Sequence, residues 1–169
     1  IGSKRDWKDR WSSIKYVIEK YKAETVMDIG CAEGFFLRKV AQEHGCFSLG
    51  VDMNNDRLKL GELTRLYDEV ENCATIKAKL NPRAIKRLPK MDVILCLSVV
   101  HHIIKSEGMS SALSFIKALV ERANKAIIFE IGTSDEKSFI GRLPDMPNGQ
   151  EFFVRKLLED AGCKNIRVL

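Results

Sequence analysis

No C-x-x-C pair occurs among the five cysteines, Cys31, Cys46, Cys73, Cys96 and Cys163, and their number is odd. A zinc knuckle and a dithiol redox motif are thereby excluded. Small buried thiols in a reducing compartment are expected instead. No apolar run approaches the roughly 20 residues that span a bilayer. No secretory signal stands at the start, so a cytoplasmic location is expected, and Ile1-Gly2-Ser3, without an initiator methionine, are left out of the fold reading. Internal repeats and low-complexity tracts are also missing. What remains is 169 residues, 45% hydrophobic and 30% charged, which suits a single globular domain over residues 1–169.

Strand and helix signals alternate along the whole chain. Trp7, Trp11, Ile14, Val17, Ile18 and Tyr21 have helical spacing. Thr25 to Ile29 reads as a buried strand, and Glu33 to His44 as an amphipathic helix stopped by Gly45. Phe47 to Val51 is a second strand. A helix capped by Asn54 or Asn55 runs to about Val70. Residues 74–78 form a weak third strand, and Pro82 opens a short turn or helix. Met91 to Ser98 is the most apolar strand and needs cover on both faces. A helix begins at Ser110 or Ser111, and Lys125 to Ile131 is a fifth strand. A long loop covers 132–149, a helix spans Gln150 to Ala161, and Asn165 to Leu169 begins a last strand. The pattern predicts an α/β fold, Rossmann-like and doubly wound, with a mostly parallel sheet and helices on both faces.

The chemistry-bearing segment is Asp28-Ile29-Gly30-Cys31-Ala32-Glu33-Gly34-Phe35, followed eighteen residues after Gly34 by Asp52 at the end of the second strand. Strand, glycine turn, helix, strand and acid together outline a crevice for an adenosine-containing cofactor at the carboxyl ends of parallel strands. Gly30 lets the chain turn sharply and removes side-chain bulk. Asp52 suits a pair of ribose hydroxyls. Asp28 suits a cationic amine and would be unhelpful beside a pyrophosphate. A dinucleotide would call for glycine where Ala32 stands.

At these residues the chain resembles the class I S-adenosylmethionine-dependent methyltransferases. Asp28–Gly34, Gly50-Val51-Asp52, and Met91-Asp92-Val93-Ile94 with Ser98-Val99-Val100-His101-His102 are similar to three of that family's motifs, in its order and spacing, over about residues 24–131. The resemblance implies a seven-stranded sheet with a reversed last strand, S-adenosyl-L-methionine as cofactor, and methyl transfer from its sulfonium. It implies Asp52 on the ribose with Met53 beside it. It places Gly30, Cys31, Ala32, Gly34 and Phe35 near the methionine part, with Leu97, Ser98 and Val99 lining the methyl side. Two departures stand out. The acid that the family often places after the third strand is missing from Lys79-Leu80-Asn81, so either Asn81 or the backbone meets the adenine amine. The chain also stops in the sixth strand, so the seventh is either absent or lies beyond Leu169.

The candidate catalytic residues are His101, His102 and Glu130. Histidine is the side chain best poised to take a proton near neutral pH. Two adjacent histidines in a loop cannot both face the cofactor if the backbone is extended there, so either one faces the acceptor while the other packs or caps the following turn, or both are structural. Glu130, inside an apolar strand, either contacts substrate or forms an ion pair that holds the following loop. No metal-ligand spacing is present, and no metal is expected. The 132–149 loop, with Phe139, Arg142, Leu143, Pro144, Asp145, Met146 and Pro147, reads as a substrate cover. Arg10, on the N-terminal helix, is a candidate for the cofactor's carboxylate.

The net charge of +5 gathers in Lys4, Arg5, Lys8 and Arg10, and in Lys77, Lys79, Arg83, Lys86, Arg87 and Lys90. Either these are solvated faces or they meet an anionic partner. The leading expectation is methyl transfer to an O or N of a small-molecule or glycan-like, anionic acceptor. The alternatives are an RNA methyltransferase, though no N-P-P-Y or D-P-P-Y run follows the fourth strand, and a non-catalytic cofactor-binding module.

Overall fold

A computed structural model describes residues 6–132 and 146–169. Lys4, Arg5 and the loop residues Phe139, Arg142, Leu143, Pro144 and Asp145 lie outside the described residues. The elements run α1 (Trp7–Tyr21), β1 (Thr25–Ile29), α2 (Phe35–His44), β2 (Phe47–Asp52), α3 (Asn55–Tyr67), β3 (Cys73–Lys77), α4 (Pro82–Ile85), β4 (Met91–Leu97), α5 (Val100–Glu107), α6 (Met109–Val120), β5 (Ala123–Glu130) and α7 (Gly149–Asp160).

The five strands are parallel, in the order β3-β2-β1-β4-β5. The chain winds outward from β1 to β3, then returns to place β4 on the other side of β1. Between β1 and β4 successive crossovers diverge, which opens a crevice at the strands' carboxyl ends. β4, apolar except for Asp92 near its start, shows why its sequence is so apolar. Val93 and Leu95 pack toward α1 with Trp11, Ile14 and Val26. Ile94 and Cys96 pack the other way, with Phe115, Ile116 and Leu119 of α6. Each residue of a strand covered on both faces meets a core.

Local chemistry sets the element ends. The Lys8 N–H donates to the Asp6 carboxylate at the start of α1, and Lys22 closes the helix at φ 47°. Asn54 accepts from the N–H groups of Asp56 and Arg57 and caps α3. That helix stops at Tyr67, short of Val70, because Glu69 turns into the left-handed region at φ 54°. One helix is absent from the sequence reading. His101 and His102 lie in α5, where a loop is expected. Its apolar residues Val100, Ile103 and Ile104 continue the apolar run of β4, so no change of period marks the boundary. The break comes from Ser98, at φ 57°.

The expected sixth strand does not form. Residues 165–169 have no strand pairing. Asn165 sits at φ 56°, and the Arg155 guanidinium donates to the Ile166 carbonyl at 3.1 Å, occupying an acceptor that a ladder would use. Neither a sixth nor a seventh strand occurs among the described residues. A cavity of about 720 Å³ runs beside β5 instead, between α1 and α7, with Ile166 and Val168 on its far wall.

Gly50 shows how closely β2 approaches the helix above it. A Cβ there would lie 2.3 Å from Leu37 Cδ1 and 2.6 Å from Cys31 Sγ. Both neighbours are buried, so neither yields easily. Gly50→Ala is expected to cost about 1–3 kcal/mol by overpacking, read as a lower urea midpoint at an unchanged m-value. Unaltered stability would contradict this packing.

Candidate active site

The glycine turn is held by backbone hydrogen bonds from both ends. The N–H groups of Gly30 and Cys31 donate to the Val51 carbonyl at 2.7 and 3.3 Å, and the Gly34 N–H donates to the Cys31 carbonyl at 2.8 Å. Gly30, Ala32 and Gly34 all have positive φ, at 78°, 52° and 69°. Ala32 tolerates this at some cost because it carries only a methyl group. A Cβ on Gly30 would stand 2.5 Å from Val99 Cγ2, so glycine keeps the turn and the end of β4 at closest approach. Gly34 begins α2, where a Cβ would stand 3.3 Å from Leu37 Cδ1.

Asp52 ties the crevice together. Its Oδ2 accepts from the Ala32 N–H at 2.9 Å, and its Oδ1 accepts from the Asn54 N–H at 2.8 Å. Each carboxylate oxygen has further lone-pair capacity, so Asp52 remains able to accept from a diol. Met53, next to it, is exposed, as is Phe35 at the start of α2. Phe35 packs edge-on against Trp7 of α1, with ring centroids 5.4 Å apart.

Asp28 is buried among apolar neighbours, and no hydrogen bond reaches its carboxylate from the described residues. Burial, and then the charge of Asp52, push its pKa up to about 7. The same burial raises the Cys31 and Cys96 thiols far above their ordinary range, so both stay protonated and unreactive. A cationic group entering the crevice would give Asp28 the partner it lacks.

On the methyl side, half-buried Leu97 and Ser98 lead to buried Val99. Glu130 is gripped by Arg10, whose Nε and Nη2 donate to its two oxygens at 2.8 and 2.7 Å, while the Ser98 hydroxyl donates to Oε1 at 2.6 Å. The Ser98 N–H also donates to the Glu130 carbonyl at 2.9 Å. Three elements, α1, β4 and β5, meet in this knot. Arg10 is thus engaged by a carboxylate of the protein, and a carboxylate held in a bidentate guanidinium clamp is a weak proton acceptor.

The two histidines have different surroundings. His101 is buried, and its Nδ1 accepts the Gly132 N–H at 2.8 Å, which places the ring proton on Nε2 and pins the chain as it leaves β5. A Cβ on Gly132 would lie 2.9 Å from that nitrogen. His102 is exposed, with its ring 4.3 Å from that of His101. Partial burial, and then Lys105, lower its pKa below the ordinary histidine value.

On the opposite side of the crevice, Asn81 Oδ1 accepts the Ala84 N–H at 2.9 Å and caps α4, while Leu80 comes within 4.0 Å of the position a Gly30 Cβ would take. Lys77, Lys79, Arg83, Lys86, Arg87 and Lys90 are all exposed, and no acid occurs from Asn72 to Met91. Of these six, Lys86 faces Glu121 at 3.5 Å. Sequence reasoning missed the Arg10–Ser98–Glu130 knot. Its members are 88 and 32 residues apart, and only the position of Glu130 in an apolar strand signalled a buried partner.

A parallel sheet with a glycine turn after β1, an acid ending β2 and a buried acid within β1 defines an adenosine-cofactor crevice of the kind methyltransferases use. The methyltransferase-domain family model matches residues 27–123, and the chain belongs to that family, within the class I S-adenosylmethionine-dependent group. The tRNA U34 carboxymethyltransferase of Pseudoalteromonas translucida (strain TAC 125) is 29% identical over 97 residues, 57% of this chain and 29% of that protein. The ubiquinone biosynthesis O-methyltransferase of Serratia proteamaculans (strain 568) is 27% identical over 93 residues, 53% and 38% of the two chains. The fold is shared with monomeric WbdD, a bifunctional kinase-methyltransferase, at a TM-score of 0.73 and 22% identity over 92% of this chain and 37% of that one. The chain spans between 29% and 51% of the length of the curated relatives it matches.

The electrostatics of Asp28 carry a prediction with a definite sign. Its folded pKa lies above the unfolded value, so the unfolded chain binds fewer protons between about pH 4 and 7, and folding stability falls as pH rises through that window. Asp28→Asn is therefore expected to raise Tm at pH 8, by an amount that shrinks as pH falls and vanishes below about pH 4. The ionised form is the one that attracts a cation, so affinity for S-adenosylmethionine should rise with pH through about 7, and Asp28→Asn should flatten the profile. Calorimetry across pH 5.5–8.5 reads both the affinity and any proton release. A flat native profile would contradict a cation-binding role for Asp28.

Proposed function

We propose that this chain binds S-adenosyl-L-methionine and transfers its methyl group to an oxygen or nitrogen of a small-molecule or glycan-like acceptor that carries negative charge. The observation carrying this reading is the coupled arrangement of Asp52 and Asp28 around the Gly30 turn. One acid is oriented by two backbone N–H groups with capacity for a diol, and the other is buried without a hydrogen-bonding partner among the described residues. The bound cofactor supplies an electrophilic methyl group on a positively charged sulfur. Asp52 holds the ribose and Asp28 faces the cationic amino-acid end. Cys31, Ala32, Gly34 and Phe35 border that end, Met53 and Asn81 border the adenine, and Leu97, Ser98 and Val99 wall the methyl side.

Holding the acceptor in line with the methyl carbon is the main task of such a site, and positioning supplies up to about 7–11 kcal/mol. His102 is the residue suited to take the acceptor's proton, because it is exposed and its lowered pKa keeps it neutral at physiological pH. His101 and Glu130 act by position: His101 fixes Gly132, and Glu130 fixes Ser98 and α1.

A second reading has its own support. The acid-free basic segment 72–91 passes the crevice at Leu80, within 4.0 Å of the position a Gly30 Cβ would take, and one curated relative is named for a tRNA substrate. RNA is the acceptor in that reading, with the lysines and arginines on phosphates.

The deciding experiment offers labelled cofactor to phosphosugars, phosphorylated glycans, other metabolites and RNA. Transfer to a small or glycan acceptor, little affected by salt, supports the first reading. Transfer to RNA that collapses with salt selects the second. No S-adenosylhomocysteine from any acceptor, despite cofactor binding, leaves a binding module. Asp52→Ala should weaken cofactor binding by roughly tenfold or more. His102→Gln should lower kcat about 10²-fold or more with little change in KM, and should remove an acidic limb that lies below the ordinary histidine range. His101→Ala should instead lower Tm, since the Gly132 N–H loses its acceptor, at a cost of about 1–3 kcal/mol. Normal turnover in His102→Gln would remove it from the mechanism.

A further inference from the structure

The cations of segment 77–90 form a strip that runs from the crevice to the opposite edge of the sheet. Lys77 ends β3 in register with Asp52, and the Ala78 N–H donates to the Asp52 carbonyl at 2.9 Å, so the strip starts at the carboxyl ends of the strands. Leu80 then passes the glycine turn. From Pro82 the chain descends to the amino end of β4, where the Met91 N–H donates to the Arg122 carbonyl at 3.0 Å. The seven residues of β4 span that height, about 20 Å at 3.3 Å per residue. Ile85 and Leu88 are buried and anchor the segment, while Lys77, Lys79, Arg83, Lys86, Arg87 and Lys90 are exposed. Lys86 faces Glu121 at 3.5 Å, and the other five cations make no ion pair among the described residues. At the lower end, Arg122 Nη1 donates to the Lys86 and Leu88 carbonyls at 3.5 and 3.4 Å and adds a fixed charge. Pro82 and Pro89 restrict φ on either side of the turn, so these charges ride on a stiff segment.

We propose that this strip binds the phosphate backbone of a double-helical RNA and does not read its sequence. Its length, its lack of rings and its lack of apolar tips select that partner. A small phosphorylated acceptor in the crevice would meet only Lys77 and Lys79, whereas Arg83, Arg87 and Lys90 call for an anion that continues down the face. No Phe, Tyr or Trp lies between residues 72 and 91. Single strands are held largely by stacking bases on such rings, while a duplex keeps its bases stacked inside and presents phosphates outward. No large apolar side chain is exposed from 77 to 90, and a surface that docks on lipid inserts such side chains. The Asn81 side-chain oxygen, suited to a base edge, is already taken by the Ala84 N–H. The strip therefore offers contacts that position a duplex without specifying its sequence. Its upper end adjoins the crevice, so a duplex seated on it reaches the cofactor site. The proposal extends the RNA reading above, and binding is measured apart from methyl transfer so that either can fail alone.

Fluorescence anisotropy of a labelled RNA duplex of about 20 base pairs, titrated with the whole chain between about 50 and 200 mM salt, tests this. Binding should have a dissociation constant on the order of 1–100 μM, and log K should fall against log salt with a slope of about −4.5, for five cations on phosphates. A duplex of shuffled sequence should bind within about twofold, and a single strand of the same length more weakly. Arg83→Ala and Arg87→Ala should each reduce the slope by about 0.9. Arg83→Glu, Arg87→Glu and Lys90→Glu together should weaken binding at least tenfold, with Tm and affinity for S-adenosylmethionine unchanged. Lys15→Glu, Lys59→Glu and Lys156→Glu together make the same change in net charge on other faces and should have much less effect. Native binding that is absent at about 50 mM salt, or a loss equal in the two triple variants, overturns the proposal. Tighter binding to a DNA duplex of the same sequence, or equal binding to phosphatidylserine vesicles, overturns the assignment to RNA. A duplex that binds through the strip but accepts no methyl group supports the surface and removes RNA as the acceptor.

Discussion

The Asp52 carboxylate is the point on which the crevice depends. One oxygen holds the Ala32 N–H in the middle of the glycine turn, and the other holds the Asn54 N–H at the entry to α3. The end of β2 therefore dictates both the shape of the loop after β1 and the start of the next helix. Ala32 stays at a φ of 52°, unfavourable for a residue with a side chain, because its amide is anchored there. A charge-assisted hydrogen bond is strong enough to maintain that local strain. Gly30, tied to Val51 and pressed on Val99, completes a rigid floor. A ligand meeting this floor pays little to organise it.

The same acid puts Asp28 under stress. Two carboxylates share one crevice, and the buried one is driven toward neutrality by lost solvation and by its neighbour's charge. That stress lowers the stability of the ligand-free protein near neutral pH and makes the crevice attractive to a cation. The Arg10–Ser98–Glu130 knot works in the opposite sense on the far side, with its charges matched and hydrogen-bonded. It fastens α1 across the ends of β4 and β5, so the helix carrying Trp7, which packs on Phe35, keeps a fixed position over the glycine turn. One side of the crevice is electrostatically unsatisfied and the other is closed, which gives the site its polarity.

Much of the fold was legible because the information was local. Apolar period and caps marked β1, α1 and the glycine turn to the residue, and Asn54 and Gly45 announced helix ends. Legibility failed where a tertiary partner decides the outcome. α5 was hidden because Val100, Ile103 and Ile104 prolong the apolar run of β4, and only the turn at Ser98 separates them. The strand expected at 165–169 has suitable side chains but no ladder, since Arg155 takes the Ile166 carbonyl. Asn81, singled out as a crevice residue, also caps α4.

Taken alone, the amino-acid sequence determined the class of fold, the family resemblance and the glycine turn between β1 and α2, since these follow from residues adjacent in the chain or on neighbouring strands. The tertiary structure decided which histidine is buried and which is exposed, that Arg10 grips Glu130, and that α3 presents leucines to solvent. Those outcomes depend on contacts between residues as many as 120 positions apart. Helical period is the same whichever face turns inward. Only packing against the Glu33 turn, where no Cβ fits at Gly61, settles the orientation of α3.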